Sequence, residues 1–227
     1  MEVRKKPRKK HRLTVLVLFG LLILLVGVRG PYLFPTSLAL GPCFPDFVSP
    51  STYLALFEAP ASPMKRLNFS VGTADVQICY GSPSARNRRV FEESSAVDTD
   101  STITTEPSLI PNGRLWRLGA NEPTRLFTNE PILFGSLRLE AGRYAIYALP
   151  GPANWEIFVT RSINHWGNQI SSGVRSKEIG STIIPFAYSD SFSESLQMHA
   201  NTVLTDSTAL EIVWESRALT IPIMSLK

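Results

Sequence analysis

The chain has 227 residues, of which 44% are hydrophobic and 19% are charged, so it is long enough for one domain with its own core. Its formal net charge is +4, but seven of the 23 lysines and arginines lie between Arg4 and Arg12. Without residues 1–12 the chain carries 16 basic and 18 acidic residues (23 less seven, and 19 less the one at Glu2). This balance excludes the strongly basic surface typical of nucleic-acid binding, and we predict no nucleic-acid partner.

The N-terminal basic block is followed directly by an uncharged apolar run over residues 13–28. This arrangement is typical of a segment that enters a membrane and leaves its N-terminus in the cytoplasm. A helix of this length spans about 24 Å, against about 30 Å for the hydrocarbon core, and interfacial residues as far as Phe34 extend the usable length. We therefore predict a basic cytoplasmic tail over residues 1–12 and a single-pass transmembrane helix, an uncleaved signal-anchor, over residues 13–34.

Such an anchor would place the rest of the chain outside the cytoplasm, in the periplasm or at the cell surface. Membrane lipid is then the first expected partner, through the anchor. A cleaved signal peptide is the alternative, because its apolar region has a similar length. Val26-Gly27-Val28-Arg29 is a poor match to the small residues that a cleavage site needs, which favours the anchor.

Residues 35–61 are predicted to form a proline-rich linker, because proline prevents long regular structure. A serine-proline pair beginning at Ser49 is typical of a helix start and predicts one short helix ending near Glu58. The two cysteines are Cys43 and Cys79. Outside the cytoplasm they could pair in a disulfide, or both could remain thiols.

From Leu67 onward the chain has the period of two that is typical of half-buried β-strands. Residues 67–71 and 76–80 flank a turn at Gly72-Thr73-Ala74-Asp75 and predict a β-hairpin. Further strands are predicted at 114–118, 125–128, 132–134, 137–139, 144–149, 155–160, 182–188, 195–200, 210–215 and 219–223. This pattern predicts an all-β domain over residues 62–223, an antiparallel β-sandwich or jelly-roll-like fold, preceded by the transmembrane helix.

One stretch, residues 92–102, is acidic and hydroxyl-rich and contains almost no large apolar side chain. Such a composition predicts an exposed, solvated insertion between strands. A lid over a binding site is the alternative, because long loops often carry that role.

The sequence carries no recognisable catalytic or metal-binding motif. Its three histidines, His11, His165 and His199, are scattered, whereas a metal site needs clustered ligands. Neither a nucleophile elbow nor a glycine-rich phosphate loop is present. We therefore predict no metal site and no cofactor, and whether the protein is an enzyme stays open.

The densest group of polar side chains lies in the string WRLGANEPT, residues 116–124. Around its Gly-Ala turn, a guanidinium, an amide, a carboxylate and a hydroxyl could face a ligand above an indole floor. A structural role is the alternative, because a buried pair of Arg117 and Glu122 would lock the crossing between two strands. The candidate ligand-binding residues are Trp116, Arg117, Asn121, Glu122 and Thr124, together with Arg88.

This string also carries a family resemblance. WRLGANEPT is preceded by YGSPSARNRRVF and followed by AGRYAIYALPG, by Trp155 and by Trp166-Gly167. In this order the motifs resemble the DUF2911 family of bacterial exported proteins of unknown function. The resemblance covers residues 62–223 and implies an extracytoplasmic β-rich domain without an established activity. The chain departs from the family pattern at Asn87-Arg88, where Gly-Arg is usual, and in a longer connector before Pro111.

Together these features predict a membrane-tethered, extracytoplasmic β-sandwich that acts as a binding or structural module of the bacterial envelope. The alternative is an envelope hydrolase, directed at glycans, that uses Glu122 and a second carboxylate. The fold distinguishes the two, because a hydrolase needs two carboxylates about 5 to 9.5 Å apart in a cleft. A binding module needs only one concave patch with convergent polar groups. The ligand and the oligomeric state stay open.

Overall fold

The computed structural model describes residues 61–92, 108–165 and 170–226. Within these ranges the chain forms nine β-strands and one short helix. The strands are β1 (Met64–Val71), β2 (Ala74–Gly81), β3 (Thr124–Thr128), β4 (Ile132–Phe134), β5 (Leu137–Leu139), β6 (Gly142–Pro150), β7 (Asn154–Thr160), β8 (Glu178–Leu204) and β9 (Ser207–Ser225), and the helix is α1 (Ser172–Arg175).

All strand pairs are antiparallel, and the described strands form one sheet in the order β1-β2-β3-β6-β7-β8-β9-β4-β5. The predicted all-β class is therefore confirmed. The sheet folds over in a sandwich-like manner, because β8 pairs with β7 along residues 178–185 and with β9 from Phe186 onward. At one end, the amide of Gly72 donates to the carbonyl of Thr205 at 2.8 Å and joins the β1–β2 turn to the β8–β9 turn.

A single large apolar cluster fills the space between the two parts of the folded sheet. It includes alternate residues of β2 and β6, such as Ile78 and Ile146, together with Leu196 of β8 and Ile221 of β9, all fully buried. This alternation is what the period of two in the sequence predicts, since successive side chains of a strand point to opposite faces. Burial of this face supplies the main stabilisation of the fold.

The outer face of the sheet is also partly covered. Tyr147 of β6 and Phe158 of β7 point away from the main core and stack at a ring-centroid distance of 5.1 Å. Val174 of α1 packs on them to form a second, smaller apolar cluster. Val174 of α1 therefore covers part of this face of the sheet, which helps to explain why both faces of β6 are buried.

The strand predictions agree with the structure in most places. The predicted hairpin corresponds to β1 and β2, and its turn is tighter than predicted, with Gly72 in the left-handed region at φ 57°. Strands β4 and β5 have the predicted limits. The four strands predicted between residues 182 and 223 are continuous parts of two long strands, because register shifts between Tyr188 and Gln197 bend β8 without ending it.

The predicted strand at residues 114–118 is wrong. Trp116 alone forms an isolated bridge with Ala148 of β6. Two residues later the backbone of Leu118 adopts φ 55°, a left-handed conformation that ends an extended strand. The carbonyl of Leu118 accepts a hydrogen bond from the side chain of Thr124 at 2.8 Å, so it bonds a side chain instead of a neighbouring strand.

Several predictions fall outside the described residues: the anchor, the proline-rich linker with its short helix, and the acidic stretch after Glu92. Among the residues that are described, no helix is long and apolar enough to cross a membrane. Cys79 is fully buried and disulfide-bonded, so of the two alternatives for this cysteine the disulfide is observed. The other cysteine of the chain, Cys43, is outside the described ranges.

Candidate functional site

Trp116 fixes the start of the predicted ligand segment in the core. Its backbone exchanges two hydrogen bonds of 2.8 Å with Ala148, and its indole Nε1 donates to the carbonyl of Gly119 at 3.1 Å. The ring is only 5% exposed and packs against Trp155 and Trp214, with centroids 5.8 and 6.0 Å away. Such aromatic contacts add about 0.5 to 1.5 kcal/mol each beyond simple burial.

The turn that follows Trp116 presses directly against the end of β2. The amide of Ala120 donates to the carbonyl of Gly81 at 3.2 Å. A Cβ atom at Gly81 would lie 2.2 Å from the carbonyl oxygen of Ala120, and one at Gly119 would lie 2.8 Å from the hydroxyl of Thr124. The two backbones approach so closely that only glycine fits at both positions, and Thr124, which is fully buried, points into this contact.

Arg117 and Glu122 occupy the interior side of the same turn. The half-buried Arg117 donates from Nη1 to the carbonyl of Asn121 at 2.6 Å, and Asn121 itself has φ 62°. Glu122 is 3% exposed. Burial lowers the pKa of the Arg117 guanidinium, while the charge of Glu122 acts in the opposite direction. This arrangement favours the structural interpretation of the string.

Burial of Glu122 also bears on the hydrolase alternative. A catalytic carboxylate must reach a bound substrate, and a carboxylate with 3% exposure is enclosed by protein. Within the described ranges, no three His, Cys, Asp or Glu residues come together in a group that could hold a metal ion. The geometry therefore lends the hydrolase alternative no support.

Arg88 is exposed and holds its own turn together. Its Nε donates to the carbonyl of Ala85 at 3.0 Å and its Nη2 to the carbonyl of Ser84 at 3.1 Å. The turn needs such support, because Arg86 and Asn87 both have positive φ, 52° and 59°. Arg88 therefore contributes to the shape of this turn.

Two charged or titratable groups near the turn, Arg125 and His165, were not predicted from the sequence. Arg125 of β3 is 5% exposed, and its Nε donates to the carbonyl of Ile163 at 3.0 Å. His165 places Nδ1 2.9 Å from the carbonyl of Ser162. Because a carbonyl only accepts, Nδ1 carries the hydrogen and Nε2 of the neutral ring is an acceptor. Neither the spacing nor the neighbours of these residues signal this arrangement.

His165 is held in its neutral form. Burial lowers the pKa of His165, and the charges of Arg125 and Arg117 lower it further, while the hydrogen bond with Ser162 acts in the opposite direction. Its Nε2 is buried and has no hydrogen-bond partner among the residues that the structure describes. A protonated ring at this place would have two guanidinium groups nearby and little solvent to screen them.

The described surface contains a cleft of about 1030 Å³. Its lining residues are Glu92, residues 108–116, Ile170 and Ser171. Apolar side chains and polar groups alternate around it, with the carboxylate of Glu92 and the exposed guanidinium of Arg114 as the charged groups. Of the six candidate ligand residues, Trp116 alone is among those that line the cleft.

One wall of the cleft is attached to the strand-like residues 89–92. The amides of Leu109 and Ile110 donate to the carbonyls of Arg89 and Val90 at 3.0 and 2.8 Å. The amide of Asn112 donates to the carboxylate of Glu92 at 3.0 Å. This wall is therefore held by backbone hydrogen bonds and by the side-chain carboxylate of Glu92.

β9 clamps the same segment from beneath. The guanidinium of Arg217 lies between the rings of Phe91 and Phe186, 4.8 and 4.7 Å from their centroids, and donates to the backbone carbonyl of Glu92. Glu215 accepts a hydrogen bond from the amide of Val90 at 3.4 Å. Burial raises the pKa of Glu215, while this hydrogen bond and the charge of Arg217 act in the opposite direction.

The comparisons with known proteins agree with the resemblance seen in the sequence. Residues 62–223 match a family model whose description is "Protein of unknown function (DUF2911)". The searches of curated proteins and of solved structures returned no significant match. The predicted family is therefore confirmed, and the function has to be argued from the geometry.

We expect Arg117→Ala to lower the free energy of unfolding of the full chain by about 2 to 4 kcal/mol. The substitution removes the donor to the carbonyl of Asn121 and leaves the buried Glu122 beside one fewer positive charge. The measurement is urea denaturation of both proteins at pH 7. Arg138→Ala is the control, since it removes a guanidinium that is 61% exposed and pairs with the similarly exposed Glu140, so it should cost about 1 kcal/mol or less. Equal midpoints for wild type and Arg117→Ala would contradict the structural role.

We expect His165 to make the protein less stable in weak acid. Its pKa is lowered in the folded state, so between roughly pH 6.5, the ordinary value, and the folded value the unfolded chain binds more protons. The stabilisation is present above this window and is lost as the pH falls through it. Urea midpoints from pH 8 to pH 5 should therefore fall less steeply for His165→Gln than for wild type. His199→Gln, at an exposed position of β8, controls for loss of an imidazole, and identical slopes for wild type and His165→Gln would refute the expectation.

Proposed function

The chain belongs to the DUF2911 family of proteins of unknown function, and we propose that it is a membrane-tethered, extracytoplasmic binding module of the bacterial envelope. The observation that carries the binding role is the cleft lined by residues 108–116, with Trp116 at its floor. Its volume of about 1030 Å³ is at the upper end of the range of about 300 to 1,000 Å³ that is typical of small-molecule sites.

The composition of the cleft supports this role. Ile110 and Trp116 are 3% and 5% exposed and form a rigid apolar base, while Glu92 and Arg114 bring charged groups to the same space. Sites for small organic molecules usually combine an apolar lining with a few placed polar groups. The clamp of Arg217 on the backbone of Glu92 holds one of these groups in position before any ligand arrives.

Location outside the cytoplasm is supported by the sequence. Seven lysines and arginines precede the apolar run over residues 13–28, whereas only Arg29 follows it before Lys65. Positive charge is retained on the cytoplasmic side of a membrane. The disulfide at Cys79 is also typical of an oxidising compartment.

The first test fuses to Lys227 a green fluorescent protein that matures only in the cytoplasm. This fusion should show no fluorescence, because the general secretion route would carry the reporter out of the cytoplasm. The same reporter fused before Met1 should be bright, because that end is proposed to stay in the cytoplasm. Membrane fractionation of both fusions, detected with an antibody, controls for expression. Strong fluorescence of the Lys227 fusion would overturn the proposed location.

We expect Ser171→Trp to block the cleft and to weaken ligand binding at least tenfold. Ser171 is exposed, lines the cleft and makes no side-chain capping bond at the start of α1, so the added indole fills space without breaking a contact. Isothermal titration calorimetry of the full chain in detergent, with the tripeptide Ala-Leu-Ala, N,N′-diacetylchitobiose and octanoate, gives the measurement. Ser172→Trp is the matched control, because Ser172 is the next exposed residue and does not line the cleft.

Binding of at least one probe to wild type and to Ser172→Trp, but not to Ser171→Trp, would support a binding role for the cleft. Binding that is equal in all three proteins would place the ligand elsewhere and overturn the proposal. Absence of binding by every probe would also count against it.

A further inference from the structure

Among the described residues that line the cleft, two carry a charged side chain, Glu92 and Arg114, and their charges are of opposite sign. Glu92 is half-buried, and one carboxylate oxygen accepts the amide of Asn112 at 3.0 Å, so the carboxylate has a fixed position and further acceptor capacity. Arg114 is exposed and, among the residues that the structure describes, has no ion pair or hydrogen-bond partner. The cleft thus offers a fixed acceptor for a cation and an exposed donor for an anion.

The separation of these groups follows from the chain. The carboxylate of Glu92 lies at the amide of Asn112, and Arg114 is two residues further along. Two residues extend at most about 7 Å between their Cα atoms. The two charged residues therefore meet the cleft at neighbouring positions of its wall, on the scale of the distance of about 7 to 10 Å between the termini of an extended tripeptide.

Apolar side chains form part of the remaining lining of the cleft, beside polar groups. Ile110, Leu115 and Ile170 are buried or half-buried and line it together with Trp116. An apolar side chain placed here would be removed from water, which is worth about 25 cal/mol for each Å². A ligand that suits the whole cleft is therefore zwitterionic at its ends and apolar in its middle.

Building on the proposed function, we infer that the cleft takes a short peptide with free amino and carboxyl termini and an apolar side chain between them. The amino terminus lies at Glu92, the carboxyl terminus at Arg114, and the apolar side chain on Ile110 and Trp116. Capture of a peptide's terminal amine or carboxylate is a recurring mode of peptide recognition, known from backbone groups, and a charge-assisted contact such as one to Glu92 or Arg114 is stronger than a neutral one.

The experiment measures binding of Ala-Leu-Ala to the full chain in detergent by isothermal titration calorimetry, beside its N-acetylated and its C-amidated forms. Each cap should weaken binding about tenfold, because it removes one charge-assisted hydrogen bond. In Glu92→Gln the N-acetylated and free peptides should bind equally, since the glutamine oxygen can still accept the amide of Asn112. In Arg114→Gln the amidated and free peptides should bind equally.

Two matched controls come from an exposed ion pair outside the cleft. Glu140 and Arg138 of the β5 region are 59% and 61% exposed in their side chains and pair with each other at 2.7 Å. Glu140→Gln and Arg138→Gln remove the same charges as the test variants but do not touch the cleft lining. Both should keep the wild-type discrimination against capped peptides.

The outcomes separate this inference from the proposed function. If capped and free peptides bind wild type equally, or if Ala-Leu-Ala does not bind while another probe is blocked by Ser171→Trp, the peptide inference is wrong and the binding role stands. If no probe is blocked by Ser171→Trp, both fail. The inference is supported if wild type binds the free peptide more tightly than either capped peptide. Glu92→Gln must then abolish the preference for a free amino terminus, and Arg114→Gln the preference for a free carboxyl terminus.

Discussion

Trp116 is the residue on which the rest of the described structure depends most. Its backbone ties the segment before β3 to β6, its indole nitrogen bonds Gly119, and its ring packs with Trp155 and Trp214 of the core. The same residue lines the cleft. A change in the core at this point would therefore also change the shape of the cleft, because interiors are close-packed and transmit small displacements.

In the string WRLGANEPT, which carries the family resemblance, most of the observed contacts stabilise a tight turn. The indole of Trp116 bonds Gly119, Arg117 bonds Asn121, and Thr124 bonds Leu118. Each of these contacts joins residues three to six positions apart within the string. The side chains of Arg117 and Thr124, two of the polar groups that could have faced a ligand, bond backbone carbonyls of the string instead, as expected for polar groups that are removed from water.

The sequence predicted the class of fold and most strand positions, because both follow from a local period of two. It did not predict that β8 and β9 are long and bent, since register shifts depend on the partner strand. The residues of the candidate site were predicted less well than the fold. Side-chain chemistry pointed to Arg117 and Glu122, whereas the cleft is built from Glu92 and residues 108–116, whose proximity follows from long-range pairing. The lowered pKa of His165 could not be predicted, because the charges that act on it belong to Arg125 and Arg117, which lie far away in the sequence.

The clamp of β9 on the cleft wall has a consequence for the order of folding. Arg217 bonds Glu92, and Glu215 bonds Val90, each across 125 positions of the chain. Forming contacts between such distant positions costs more loop-closure entropy than forming local contacts, and folding is slower as a result. The wall that carries Glu92 cannot reach its final position before β9 has joined the sheet. During synthesis, the cleft is therefore completed late, only when almost all of the described domain has emerged.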